Sequence, residues 1–167
     1  PNDDFNYWNT TFNGQLIAPI ASYRDQSNLG GSSAKYGYGL VVYNVTNLVV
    51  AGNNTFELNK TSGNAAVYPS NLIVLTNNNE SNLVKSVYIL EEADLLYKNY
   101  NKNLPTGFNT TFSVVDGNAT LFVFAASAQA GEGNLIINGE TYSNVWSGTS
   151  NSFDTFITDV NSTDLSI

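Results

Sequence analysis

The 167-residue sequence predicts an all-β protein, an antiparallel β-sandwich of jelly-roll-like or immunoglobulin-like type with about eight to ten short strands. The first observation behind this prediction is the abundance of Tyr, Phe, Val, Ile and Thr, because these residues fit a pleated, half-buried surface. The second is a set of Asn-Gly and Asp-Gly pairs between apolar runs, which is the strongest short-range hairpin signal. The third is that several short segments alternate apolar and polar residues, as a strand with one buried face does.

Three turn pairs predict β-hairpins, because both central positions of the favoured turn need a positive φ that Asn, Asp and Gly tolerate. Each pair lies between two runs of strand-forming residues. The pairs, with the runs that they join, are Asn13-Gly14 (residues 10–12 and 15–18), Asp116-Gly117 (residues 108–115 and 119–126) and Asn138-Gly139 (residues 135–137 and 140–142).

Two segments carry the clearest strand patterns. Residues 108–115 alternate apolar and polar side chains, which predicts a strand with one buried face. Residues 121–124 are continuously apolar, which predicts a central strand covered on both faces. Further strands are predicted at residues 38–43, 55–58, 72–75, 84–90 and 153–157.

Residues 91–98 compete for a helix, but about two turns would be marginal alone, so a short helix or an irregular crossing is expected. The segment also holds the densest acidic cluster: Glu91, Glu92 and Asp94. Paired carboxylates can hydrolyse glycosides when their separation and environment suit. Acidic residues at the start of a helix or in a solvated loop are the more common explanation. We therefore assign no catalytic residue and do not expect an enzyme.

Missing residue types exclude several classes of enzyme. The chain has no Cys and no His. It therefore has no disulfide, no thiolate nucleophile, and no imidazole that could act as a base or bind zinc. This excludes most zinc hydrolases, cysteine proteases and Ser-His-Asp hydrolases. The chain also has no Met, which indicates a processed mature form or a piece of a longer protein.

Charge and hydropathy restrict the partners. Six basic and fourteen acidic residues give a net charge of −8, which opposes binding to nucleic acid and to anionic membranes. The longest apolar run, residues 121–126, is far too short to span a bilayer. We therefore expect no nucleic-acid partner and no transmembrane segment in this chain.

Asparagine is unusually abundant, with 26 residues, and eight of them begin Asn-x-Ser/Thr triplets, where chance predicts about five. Abundant Asn, few basic residues and no Cys together predict an exported glycoprotein at the cell surface or outside the cell. The glycosylation candidates are Asn9, Asn44, Asn53, Asn59, Asn79, Asn109, Asn118 and Asn161.

Aromatic residues near glycine or small polar residues are candidates for ligand binding, because aromatic rings stack on sugar rings while Asn bonds hydroxyl groups. Tyr36 and Tyr38 alternate with two glycines, which thin the surrounding surface. Trp146 lies in a small, polar segment with Asn144. The alternative for each ring is that it packs in the core or caps an end of the sandwich.

One candidate metal site lies near the start of the sequence. Asp3 and Asp4 could donate carboxylate oxygens to a hard cation such as Ca²⁺. A solvated, frayed terminus is the more common role of such residues. No Asp-x-Asp-x-Asp-Gly loop is present, and no other cofactor is expected.

The domain prediction is a single domain over residues 1–167, with an internal duplication as an open alternative. Residues 12–15 match residues 137–140, and residues 43–48 resemble residues 157–162. These matches would make a truncated second repeat begin at about residue 119. Repeated use of the same turn chemistry in a β-protein explains the matches equally well.

Residues 12–159 resemble a family of archaeal, mainly methanogen, adhesin-like surface proteins whose shared domain has no assigned function. The resemblance lies in residues 12–15, 43–49 with 52–54, 89–96, and 135–139 with 153–156. It implies a β-sandwich and an extracellular location, and it supplies no catalytic residue. The chain departs from the family pattern before the first Asn-Gly hairpin, where it lacks a strand that family domains usually carry. Two explanations are open: the chain is a fragment, or it receives this strand from another molecule.

The sequence therefore predicts an extracellular adhesion or binding domain of an archaeal cell-surface protein, with cell-surface glycans as the expected partner. The alternative is a structural subunit of an extracellular filament or surface layer, in which neighbouring subunits exchange β-strands.

Overall fold

The computed structural model describes residues 8–25, 38–63, 66–68, 70–76, 86–94, 107, 109–111, 119–149, 153–160 and 164–166. Within these ranges the chain forms eleven β-strands and no helix. The strands are β1 (Trp8–Phe12), β2 (Gln15–Ile17), β3 (Ala21–Asp25), β4 (Tyr38–Val42), β5 (Phe56–Lys60), β6 (Asn109–Thr111), β7 (Ala119–Ala126), β8 (Asn134–Ile137), β9 (Glu140–Ser143), β10 (Phe153–Val160) and β11 (Asp164–Ser166).

Every strand pairing is antiparallel, which confirms the predicted all-β class with short strands. The chain divides into two compact units, residues 1–65 with 73–104 and residues 66–72 with 105–167. The first unit contains a three-stranded sheet in the order β2-β1-β5 and the hairpin β3-β4. The second contains the pairs β10-β7, β11-β6 and β8-β9. A β-sandwich packs two antiparallel sheets of this kind face to face.

Two of the three predicted hairpins are confirmed. Asn13 and Gly14 have φ angles of 49° and 77°, and Asn138 and Gly139 have 50° and 82°, as a type I′ turn requires. These turns join β1 to β2 and β8 to β9. The third turn, at residues 116–117, lies outside the described residues. Its predicted flanking strands do not pair in the described ranges, because β6 pairs with β11 and β7 pairs with β10.

Among the residues whose burial is described, each confirmed hairpin carries the most buried ones of its unit on the strand before the turn. Thr10 and Phe12 are 3% and 2% exposed, and Leu135 and Ile137 are 6% and 2% exposed. Full burial of a side chain of this size contributes about 1.5–3 kcal/mol. The match between residues 12–15 and 137–140 thus extends to turn geometry and burial.

The second sequence match does not extend to structure. Residues 43–48 form a turn, in which the Leu48 and Val49 amides donate to the Val45 carbonyl at 2.8 and 3.1 Å. The matching residues 157–160 belong to strand β10. Similar sequence therefore serves different local structures here, and only the hairpin match has a structural counterpart.

Asn13 joins the first hairpin to the loop at residues 43–55. Its Nδ2 donates to the Leu48 carbonyl at 2.8 Å and to Oδ1 of Asn54 at 2.9 Å. Its Oδ1 accepts from the Thr55 amide at 2.8 Å, and its own amide donates to the Thr55 carbonyl at 2.8 Å. Asn54 in turn binds both backbone polar groups of Val50, at 2.9 Å each. Two asparagine side chains therefore fix the course of this loop.

Tyr43 anchors the start of the same loop to the core. Its hydroxyl forms a hydrogen bond of 2.9 Å with the hydroxyl of the buried Thr10. Its ring packs edge-on against Phe56 with a centroid distance of 6.0 Å. The buried hydroxyl of Thr10 therefore has a partner, as a buried polar group requires.

Two predicted strands are wrong in the described residues. Residues 72–75 and 86–90 form no strand, and most of their large apolar side chains are exposed. Their strand-forming composition was the basis of the prediction. β-propensity describes fit to a half-buried surface beside another strand, and no strand in the described ranges pairs with these segments.

The predictions for residues 121–124 and 91–98 also need correction. Strand β7 alternates half-buried and exposed side chains, and Phe122 and Phe124 are exposed, so it is not covered on both faces. In the described ranges β7 pairs with β10 alone, and an apolar run does not by itself predict whether a second layer packs on the other face of a strand. Residues 91–94 are not helical, as a short isolated helix is marginal. Residues 95–98 lie outside the described ranges.

We expect Asn13→Asp to lower the free energy of unfolding by about 2 kcal/mol. The two hydrogen bonds of Nδ2 are lost, and a carboxylate oxygen then faces the Leu48 carbonyl and Oδ1 of Asn54. The Asp side chain still tolerates the positive φ and still accepts from the Thr55 amide, so the change isolates the two Nδ2 bonds. Urea unfolding followed by circular dichroism measures the effect.

The matched control is Asn9→Asp, the same chemical change at an exposed position of strand β1, which precedes the turn. It should alter the free energy of unfolding by less than about 0.5 kcal/mol. Equal effects of the two substitutions would contradict the role given to Asn13.

Candidate functional site

Residues 144–149 form a loop after strand β9, and they contain the sequence-predicted candidates Asn144 and Trp146. Asn144 is exposed and has a φ of 57°, so the chain turns sharply as the strand ends. Trp146 is half-buried, so part of the residue is exposed to solvent. The structure thus brings these two candidates into one short loop.

Asp154, near the start of β10, holds the backbone of this loop. One of its carboxylate oxygens accepts hydrogen bonds from the amides of Ser147 and Gly148, the latter at 3.0 Å. The other accepts from the Thr155 amide at 2.8 Å. These backbone bonds, that of Ser147 foremost, hold the pKa of Asp154 below its ordinary value. The charged carboxylate therefore fixes the position of the residues next to Trp146.

A second loop, residues 127–133, adjoins the first. Gln129 and Gly148 form an isolated parallel β-bridge, which joins the two loops directly. The carboxylate of Glu132 accepts from the Gln129 amide at 2.9 Å and from the Gln129 side chain at 3.3 Å. We call residues 127–133 and 144–149 together the loop site. It combines an aromatic ring with amide and carboxylate groups on a backbone held by hydrogen bonds.

Tyr142, another aromatic residue of this region, has a packing role. Its ring lies 5.4 Å from that of Phe156, between centroids, in a tilted arrangement. Its hydroxyl donates to Glu140 at 3.2 Å. Burial, followed by the bond to Glu140, raises the pKa of Tyr142. The alternative considered for the aromatic residues, packing within the fold, therefore holds for this one.

Tyr38 lies in strand β4 of the other unit, directly opposite Asp25 of β3. Tyr23 lies on the same face, two residues before Asp25, and its hydroxyl donates to Glu91 at 2.9 Å. The pKa of Tyr23 is raised, mainly because of this hydrogen bond to Glu91. Tyr38 is half-buried and is not part of the loop site. Tyr36 lies outside the described residues.

The acidic residues proposed for glycoside hydrolysis lie in a short segment without regular structure. Glu91 is half-buried and bound by Tyr23, whereas Glu92 and Asp94 are exposed. Asp3 and Asp4, the Ca²⁺ candidates, lie outside the described residues. In the ranges that the structure describes, no group of three acidic side chains is placed to hold a metal ion.

Four glycosylation candidates are described with their side chains, and all four are exposed: Asn9, Asn44, Asn53 and Asn59. Asn44 accepts a hydrogen bond from the Thr46 amide at 3.0 Å, in an Asx-turn. Asn109 lies in β6, and its side chain is outside the description. Asn79, Asn118 and Asn161 are outside the described ranges altogether.

Sequence reasoning did not identify the residues that hold the loop site together. Gln129 and Glu132 lie in a glycine-rich segment in which Gly131 and Gly133 have φ angles of 80° and 62°. An acidic residue at the start of a strand that follows a Gly/Ser loop is the signal that could have pointed to Asp154. Its partners lie six and seven residues before it, so no local motif predicted them.

Fold and site together define an all-β domain with a loop-borne aromatic site. A family profile described as a protein of unknown function (DUF3344) matches residues 2–165, and the chain belongs to this family. No curated protein and no solved structure is significantly similar to it. Among the residues described, no helix has the length and apolar character needed to cross a membrane.

We expect the loop site to loosen at acid pH. Because the pKa of Asp154 is lower in the folded state than in the unfolded state, its carboxylate stabilises the fold above the unfolded-state pKa. This stabilisation is lost as pH falls through the folded-state pKa. In a Trp8→Phe background, the fluorescence of Trp146 should therefore change at acid pH.

In Asp154→Asn, the fluorescence of Trp146 at neutral pH should already resemble that of the wild type at acid pH. The change in fluorescence on acidification should then be mostly lost. Asp159→Asn, on the same strand but bound to Thr120 and not to the loop, is the control and should keep the wild-type acid response. An unchanged transition in Asp154→Asn would contradict the anchoring role.

Proposed function

We propose that the chain is an extracellular binding or adhesion domain of an archaeal cell-surface protein and that it binds carbohydrate at the loop site. The observation that carries this proposal is a half-buried tryptophan, Trp146, on a loop whose backbone is held by the Asp154 carboxylate. A ring fixed in this way stacks on the apolar face of a sugar with little entropy to lose.

The polar surroundings of Trp146 support the same ligand class. Asn144 offers an exposed amide on the same loop. Glu132 and Gln129 bring a carboxylate and a second amide to the adjoining loop, whose bridge to Gly148 keeps the two loops together. Sugar hydroxyl groups both donate and accept, so they can pair with carboxylate oxygens and with both atoms of an amide group.

The cellular setting rests on sequence. The resemblance to archaeal adhesin-like proteins, the eight glycosylation triplets and the acidic, Cys-free composition all favour an exported surface protein. Cell-surface glycans are then the ligands available to such a domain. The proposal gives the chain no catalytic role.

We expect Trp146→Ala to weaken glycan binding at least about tenfold, equivalent to about 1.4 kcal/mol, because the stacking surface is lost. The measurement is a screen of the purified chain on immobilised neutral and N-acetylated hexose glycans, followed by titration calorimetry with the best binder. Trp146→Phe should retain part of the affinity.

Tyr88→Ala removes an exposed aromatic ring that belongs to the first unit and should leave binding unchanged. Carbohydrate binding that survives Trp146→Ala, or no binding of any glycan by a folded chain, would refute the proposal.

A second candidate function is assembly into an extracellular filament or layer, and one observation favours it. Strands β7 and β10 are the longest described, and in the described ranges each pairs only with the other. Phe122 and Ile157 lie opposite each other on this sheet and are 56% and 58% exposed. An open pair of strands with an exposed apolar face can pair with a second copy of the chain.

For assembly, we expect the mass from light scattering to rise with concentration, and Phe122→Thr with Ile157→Thr to weaken self-association at least about tenfold. The control is Leu16→Thr with Ile20→Thr, which removes a similar amount of exposed apolar surface from the first unit. A monomer at every concentration, or equal effects of the two double variants, would exclude this face as the contact.

A further inference from the structure

We propose that Asn9 and Asn59 form one paired acceptor site for an N-linked glycan, in which a glycan on either asparagine excludes a glycan on the other. The inference rests on the extracellular location included in the proposed function. It does not depend on carbohydrate binding at the loop site.

The two asparagines are direct neighbours across two paired strands. In the antiparallel register of β1 and β5, Asn9 lies opposite Asn59. Both side chains are exposed. The flanking pair, Thr10 and Leu58, turns to the other face, where Thr10 is buried. Asn9 and Asn59 therefore project side by side from the outer face of the sheet β2-β1-β5.

Strand periodicity puts the hydroxyl residue of the first acceptor triplet on the same face. Side chains alternate along a strand, so Thr11 lies beside Asn9 on the outer face. Its hydroxyl donates to Glu57, its cross-strand neighbour, at 3.2 Å. Leu16, opposite Thr11 on β2, is also exposed there. One glycan on this face would cover that apolar side chain as well.

The separation of the two side chains leaves room for one glycan. Directly opposed residues of an antiparallel pair have Cβ atoms about 4.5–5.5 Å apart. A hexose ring with its hydroxyl groups is about as wide as this strand spacing, and its hydration and further sugars add to that width. Two glycans starting from these positions would therefore overlap.

The other described acceptor triplets do not have this geometry. Asn53 lies in the loop before β5 and Asn44 in the Asx-turn after β4, and neither faces an acceptor asparagine across a strand pair. The chain therefore provides unpaired acceptors against which the pair can be compared.

The modification needs two things: a glycosyl donor, which is a saccharide activated on a lipid phosphate, and a transferase that recognises Asn-x-Ser/Thr. The asparagine Nδ2 forms a bond to the anomeric carbon, and the bond from that carbon to the phosphate oxygen breaks. The lipid phosphate leaves with the bonding electrons, and the Nδ2 proton passes to a base of the transferase.

The test uses the full chain secreted by a host with N-glycosylation, with an unstructured Asn-Ala-Thr tag at the C-terminus. One form keeps only Asn9 and Asn59 among the native acceptors, the others being changed to Gln. A matched form keeps only Asn9 and Asn53. Intact mass spectrometry of the folded, secreted protein counts the glycans on each molecule.

We expect doubly modified molecules to be at least about tenfold rarer for Asn9 with Asn59 than for Asn9 with Asn53, because only the first pair is opposed across strands. Asn9→Gln should then raise the occupancy of Asn59, and Asn59→Gln that of Asn9. Equal double occupancy in the two forms would overturn the proposal.

Molecules whose tag carries a glycan while both asparagines stay unmodified would also overturn it, since the tag reports export and contact with the transferase. Sugar binding at the loop site is measured separately on chain made without glycans. Failure of the paired acceptor and failure of the proposed function are therefore distinct results.

Discussion

Asn13 occupies a turn position with positive φ and still uses both polar atoms of its side chain to bind a loop that lies 35 to 42 residues further along the chain. This combination ties the hairpin β1-β2 to the loop at residues 43–55. Together with the bond between Tyr43 and Thr10, it attaches the loop to strand β1, which carries the buried Thr10 and Phe12. The segments that carry the family resemblance at residues 12–15, 43–49 and 52–54 are thus neighbours in space, held together by polar bonds.

In the second unit, a carboxylate side chain attaches a loop to a strand. Asp154 of β10 binds the backbone of the loop after β9, and the bridge between Gln129 and Gly148 adds the loop at residues 127–133. These bonds hold the backbone next to Trp146, which is half-buried. This restraint supports Trp146 as a ligand-binding residue, because a ring on an unrestrained loop would lose more entropy on binding.

Sequence reasoning predicted the two Asn-Gly turns and most of the described strands, because Asn-Gly pairs and alternation are local signals. It failed at residues 72–75 and 86–90, where composition favoured strands but pairing depends on distant partners. It also placed Asn144 and Trp146 in one loop correctly, since they are close in sequence. It could not predict the bond from Tyr23 to Glu91, or the opposition of Asn9 and Asn59, because both depend on strand register and long-range contact.

The central claim is that the loop site binds carbohydrate through Trp146. The chain has two tryptophans, so its indole N–H signals in a ¹H–¹⁵N NMR spectrum are easily assigned by substitution of Trp8. During titration with a binding saccharide, the account predicts shifts of the Trp146 indole and of the amides at residues 127–133 and 144–149. Shifts confined to the Trp8 indole or to strands β3 and β4, with the Trp146 signal unmoved at saturation, would contradict it.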